Sequence, residues 1–274
     1  MKRFLLMICV AMCAMTASAQ QTTYQTQRDI CYATSEDQYA AERCKLDVYY
    51  PQDTTGCPVV VWFHGGGLTG GNKYIPKPLR ECGMVVVAVN YRLMPKVDIE
   101  ECIDDAAAAV AWTFNHAEEY GGDVRKIFVA GHSAGGYLTS MIGLDKTWLA
   151  KYGIDADSIA ALAPFSGQAI THFGYRQQHG IEATRPTIDS LAPLYHVRGD
   201  APPLIIISGD RELELYGRYE EQAYFWRMMK LNGHTETYLY ELDGFNHGKM
   251  ATPAFHILKN HIAAIVAKSG GKSE

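Results

Sequence analysis

The apolar positions of this chain gather into short unbroken runs separated by helical patterns. Residues 58–63 read Pro-Val-Val-Val-Trp-Phe, and residues 84–89, 159–163 and 204–207 repeat the type. Runs of this length predict strands whose two faces are both covered by helices. Residues 127–130 form another such run, and residues 237–242 predict the last strand. At the start, residues 30–33 and 45–50, the second ended by Pro51, predict an antiparallel edge, while the polar residues 20–29 are expected to be loosely ordered. Between Val97 and Tyr120, Ile103, Ala107, Val110, Ala111 and Phe114 share one helical face. Asp98, Glu100 and Glu101 stand near its start, where the helix dipole favours acids. Helical patterns also follow Ser133 (Ala134, Tyr137, Leu138, Met141, Ile142) and cover residues 219–231 and 253–266. The alternation predicts one α/β domain over residues 20–274, a mainly parallel sheet with helices on both faces, and residues 166–199 as its one long insertion.

The first residues read differently. Lys2 and Arg3 precede an apolar run over residues 4–15, and Ala17-Ser18-Ala19 supplies a small-x-small cleavage site, the pattern of a secretory signal peptide over residues 1–19. The run is shorter than the roughly 20 residues of a membrane-spanning helix. The expectation is therefore a secreted or periplasmic protein without a membrane span. Net charge is −5 for the 274-residue chain and becomes more negative once Lys2 and Arg3 are removed, which argues against nucleic acid as a partner. Cys31, Cys44, Cys57, Cys82 and Cys102 remain, an odd number. Cys31 and Cys44 either bridge a hairpin or, like the other three, are small buried apolar residues.

Candidate chemistry centres on Gly131-His132-Ser133-Ala134-Gly135-Gly136, between a predicted strand and a predicted helix. A serine at such a sharp turn projects its hydroxyl above the sheet, and glycines two residues to either side leave room for it. A second glycine run, His64-Gly65-Gly66-Gly67, follows the strand at 58–63 and frees backbone amides to point at a bound carbonyl.

With these two motifs in this order, the chain resembles the α/β-hydrolase superfamily, and within it the esterases related to hormone-sensitive lipase and the small carbohydrate esterases. The resemblance implies Ser133 as nucleophile, the amides of Gly66, Gly67 and Ala134 as oxyanion donors, and then an acid and a histidine in that chain order. The acid is expected just after the strand 204–207, in Gly209-Asp210-Arg211-Glu212. Glu212 falls where the family usually places it, and Asp210, nearer the strand end, is the rival. The histidine is expected at His247, in the Gly-Phe-Asn-His-Gly segment between the last strand and the last helix. No metal-ligand spacing is present, and no cofactor is expected. Because only residues 20–29 precede the first predicted strand, the cap over the site is expected to be minimal. Its cover would come from residues 166–199, whose His172, Phe173, Tyr175, Arg176, Gln177, Gln178 and His179 suit stacking on and hydrogen bonding to sugars.

The expected activity is hydrolysis of short acyl esters through an acyl-enzyme, on small esters or on acylated plant polysaccharides. An amide hydrolase, peptidase or arylformamidase, on the same triad is the alternative. A non-catalytic binding protein is the third class, against which the complete residue set argues. Oligomeric state is not legible.

Overall fold

Eight strands form one sheet: β1 (Tyr24–Cys31), β2 (Lys45–Pro51), β3 (Cys57–Phe63), β4 (Val85–Val89), β5 (Gly122–His132), β6 (Ala161–Phe165), β7 (Leu204–Gly209) and β8 (Thr237–Leu242). The structure, a computed structural model, describes residues 22–33 and 36–270, so the leader expected at residues 1–19 lies outside the described residues. The strand order is β1-β2-β4-β3-β5-β6-β7-β8. The β1–β2 and β2–β4 pairs are antiparallel, and every other pair is parallel. Helices α1 (Gln38–Arg43), α2 (Ile99–His116), α3 (Ala134–Leu144), α4 (Lys146–Ala150), α5 (Phe173–Gln178) and α6 (Arg218–Leu231) lie in connections between strands, and α7 (Ala251–Gly270) follows β8.

The unbroken apolar runs have the cause expected of them. Successive side chains of a strand leave by opposite faces. Val59, Val61 and Phe63 of β3 enter a layer shared with Ile103, Leu138, Met141, Phe225 and Met229 of α2, α3 and α6. Val60 and Trp62 enter the opposite layer, against Ala254, Phe255, Leu258 and Ile262 of α7. Burying each larger apolar side chain contributes roughly 1.5–3 kcal/mol, so neither face of the central strands tolerates a polar residue cheaply. Helix α2 begins as its acids predict, with a capping box in which Asp98 and Glu101 satisfy each other's backbone.

The antiparallel edge forms as expected, but its first strand starts earlier than residues 30–33. Residues 20–29 are not loosely ordered throughout, because β1 starts at Tyr24 and pairs through Gln27 with β2 before shifting register at Asp29. An edge strand is held by backbone bonds and needs little apolar surface, so the polar side chains of residues 24–29 hid its first part. Tyr24 adds a ring stacked on Tyr49 at 5.1 Å. Neither cysteine reading holds in full, as all five described cysteines are free but only Cys44, Cys57 and Cys102 are buried. Cys31 is exposed on β1 whereas Cys44, at the end of α1, is buried, so the two thiols lie in different environments. Burial pushes the Cys44 thiol up to about 12. The 166–199 insertion carries the short α5, and α4 is a further short helix that the pattern did not mark.

Parallel register places the site. Phe63 pairs with Gly131, His132 with Phe165, Phe165 with Ile207, and Gly209 with Leu242. The loops that leave β3, β5, β6, β7 and β8 therefore emerge along one carboxyl-terminal edge.

Candidate active site

Ser133 occupies the turn between β5 and α3 at φ 56 and ψ −115, a strained conformation for a residue with a side chain. The elbow is close-packed. A Cβ on Gly131 would lie 2.4 Å from the Gly135 carbonyl, and one on Gly135 would lie 2.1 Å from the carbonyl oxygen of Phe63. The loop after β3 lies alongside, since a Cβ on Gly65 would sit 3.3 Å from that of Ser133. Gly66 has φ 120, and its carbonyl accepts the N–H groups of Thr69 and Gly70, which folds the glycine run into a tight turn. Ala134 is the first residue of α3, where a helix leaves its N–H groups without intrahelical acceptors. Gly66, Gly67 and Ala134, the three expected oxyanion donors, thus belong to the two turns that border Ser133.

His247, in the loop after β8, completes a chain of contacts. Its Nε2 lies 2.9 Å from Ser133 Oγ, and its Nδ1 lies 2.8 Å from Oε2 of Glu214. The expectation of Glu212 as the acid is corrected here. Glu212 is exposed, while the turn after β7 folds back through bonds from the Leu213 and Glu214 N–H groups to the Asp210 carbonyl. That turn aims the side chain two residues later at the histidine. The rival, Asp210, does not face His247 either. Its carboxylate accepts the N–H groups of Glu212 at 2.9 Å and Gly244 at 2.7 Å, joining the acid's turn to the histidine's loop.

Burial alone would raise the Glu214 carboxyl, but hydrogen bonds from His247, Ser166 and the Gly209 N–H outweigh it and hold the group at about 2. Ser166, the residue after β6, is fully buried. It donates its hydroxyl to Glu214 Oε1 at 2.6 Å and stands 2.9 Å from His247 Nδ1. No motif marked Ser166, and Glu214 was one acid among three in its loop. Distance from the elbow along the chain carried no signal for either.

Two other histidines border the site. The His132 ring is 4.9 Å from that of His247, and its Nε2 donates to the His247 carbonyl at 2.8 Å. Burial, with the neighbouring His247 charge, lowers His132 to about 4. His64 stacks on Tyr91 at 4.5 Å, and burial lowers it to about 4 as well. Both stay neutral near neutral pH.

The insertion contributes differently from expectation. His172 and Arg176 are buried. Arg176 donates to the carbonyls of Thr171 at 2.9 Å and Ala183 at 2.7 Å, and His172 accepts the Gly174 N–H, so both serve the loop's own backbone. Phe173 reaches the glycine run, its ring edge 3.3 Å from where a Gly67 Cβ would be, and it lies 6.3 Å from the exposed ring of Tyr216. Leu213, Leu215, Tyr216 and Phe245, all exposed, stand on the loops that carry Glu214 and His247. Among the described residues no group of three or more His, Cys, Asp or Glu side chains is placed to hold a metal ion, and no helix is long and apolar enough to cross a membrane.

A family model described as BD-FAE matches residues 46–215, more than half of the chain. A probable carboxylic ester hydrolase of Mycobacterium tuberculosis is 30% identical over 57% of this chain and 42% of its own length. A probable isoprenylcysteine alpha-carbonyl methylesterase of Oryza sativa subsp. japonica is 25% identical over 90% of this chain and 64% of its own. The chain therefore spans less than two thirds of either relative. A solved structure of a truncated carbohydrate esterase from gut microbiota superposes with a TM-score of 0.75 at 17% identity, covering 90% of this chain and 98% of that one. The likeness identifies the fold as that of an α/β-hydrolase.

Proposed function

We propose, from the premise that the chain belongs to the BD-FAE family, that it is a carboxylic ester hydrolase working through an acyl-enzyme on Ser133. The observation that carries this reading is His247 standing between Ser133 Oγ at 2.9 Å and Glu214 Oε2 at 2.8 Å. In it, His247 Nε2 takes the proton of Ser133 as Oγ bonds to the acyl carbon. The carbonyl oxygen gathers negative charge facing the amides of Gly66, Gly67 and Ala134. As the C–O bond to the alcohol breaks, His247 returns the proton to the leaving oxygen. Water, deprotonated by the same nitrogen, then attacks the acyl carbon, and the carboxylic acid leaves with Ser133 restored. Glu214 holds the Nδ1 proton and stabilises the imidazolium that forms. His132, kept neutral beside it, adds no competing positive charge.

The rim supports a reading of the substrate class. Phe173, its ring edge against the glycine run, and the exposed Tyr216 6.3 Å from it put aromatic surface near the site, as suits a small acyl group carried on a sugar or other large alcohol rather than a long lipid chain. The likeness to a carbohydrate esterase points the same way. The leader read in residues 1–19 supports export, where acylated polysaccharide is met.

The test is one panel run with the parent and with Ser133→Ala: p-nitrophenyl acetate, butyrate and decanoate, acetylated xylan, and formyl and aminoacyl anilides. Acetate and butyrate turned over only by the parent, with acetate released from xylan, is the expected result. Preference for an anilide moves the reading to amide chemistry, and preference for decanoate overturns the short-acyl reading.

A further inference from the structure

We propose that Ser166 is a positioning residue of this site, its hydroxyl fixing the Glu214 carboxylate toward His247 and sharing the proton on Nδ1. The inference rests on the hydrolase reading above for its kinetic consequences, though not for its geometry. A serine hydroxyl has one hydrogen, and here it goes to Glu214 Oε1 at 2.6 Å. Only lone pairs remain toward His247 Nδ1 at 2.9 Å, so the ring N–H is shared between Ser166 Oγ and Glu214 Oε2. Each carboxylate oxygen then has two donors: Ser166 and the Gly209 N–H at 2.9 Å on Oε1, His247 and the Leu215 N–H at 3.2 Å on Oε2.

The effort spent on holding Ser166 argues that its hydroxyl matters. Its φ is 47, in the left-handed region that residues with a side chain seldom adopt, and such strain persists where the surroundings over-determine it. Its N–H donates to the Ile207 carbonyl at 2.7 Å, and its own carbonyl accepts from Nη1 of the buried Arg218. Arg218 is fixed in turn by Glu221 at 2.8 Å, whose other oxygen takes the N–H groups of Ala169 and Ile170 at 3.2 Å each. The backbone is clamped on both sides, and the atom left to act outward is Oγ. Glycine would meet the backbone demand better than serine does, so packing alone does not account for a hydroxyl here.

Ser166→Ala and Ser166→Gly test this, the glycine variant relieving the strained φ that the alanine keeps. Both should lower kcat on a short p-nitrophenyl ester by roughly tenfold to a hundredfold, the range a hydrogen bond to a charged group supports, with KM within about twofold. Combined with Glu214→Gln, either should cost little beyond Glu214→Gln alone, because Ser166 acts through that carboxylate. The downfield proton resonance of His247 Nδ1–H should shift in both variants, whether or not the ester is the right substrate. A parent that turns over no ester would sink the hydrolase reading, and the resonance would then judge Ser166 by itself. Losses that multiply with Glu214→Gln, a kcat within twofold of the parent in the glycine variant, or an unmoved resonance would each overturn the proposal.

Discussion

The carboxylate of Asp210 accepts the backbone N–H of Gly244 at 2.7 Å, and this bond joins two loops separated by 34 residues of chain. One of them carries Glu214 and the other His247. Replacing Asp210 with alanine should therefore act on catalysis through geometry, lowering kcat/KM on a short ester by roughly tenfold or less, since small misplacements of reacting groups are costly. Steady-state kinetics with a thermal melt alongside measures it. No change in turnover would mean that the loops hold their places without the bond.

Glu214→Gln should reduce kcat by on the order of a hundredfold or more, as an amide can neither fix the imidazole tautomer nor balance its charge. Glu212→Gln, on an exposed side chain, should stay within about twofold of the parent, as surface substitutions usually do. The reverse ranking in the same assay would return the acid to Glu212.

Glu214 also sets a pH dependence. Its carboxyl is depressed from 4.5 to about 2 in the folded protein, so the stability it contributes is fully present above 4.5 and is lost as pH falls toward 2. The gap in unfolding midpoint between the parent and Glu214→Gln should thus be constant at neutral pH and close over that acidic window. Urea titrations at stepped pH measure the gap, and a gap that widens on acidification contradicts the sign.

Phe255 packs on Trp62 with ring centroids 4.9 Å apart and on Phe165 at 5.2 Å, where α7 covers the sheet. Phe255→Ala should cost about 3–5 kcal/mol of stability through lost burial and the cavity left behind. Equilibrium denaturation reads this directly, and a loss below 1 kcal/mol would mean that α7 closes over the gap.

What the sequence determined by itself was whatever rests on neighbours in the chain. The run into Gly131, the serine after it and the helical spacing beyond are one local pattern, and they located the elbow. Unbroken apolar runs located the covered strands, because both faces of each must be apolar wherever its partners lie. His247 was legible because the resemblance to the α/β-hydrolases asks for a histidine between the last strand and the last helix. Only tertiary structure decided which acid faces it. Asp210, Glu212 and Glu214 share one short loop and one chemistry, and the choice depends on a backbone turn and on a histidine 33 residues away. Ser166 was silent for the same reason, since its partners lie 48 and 81 residues along the chain. Only residues 24–29 of β1 stayed hidden, because an edge is held by backbone bonds that leave no mark on side-chain polarity. Residue type and short-range spacing encode strands, turns and helices, whereas the pairing of distant side chains exists only once the sheet has brought its carboxyl-terminal loops together.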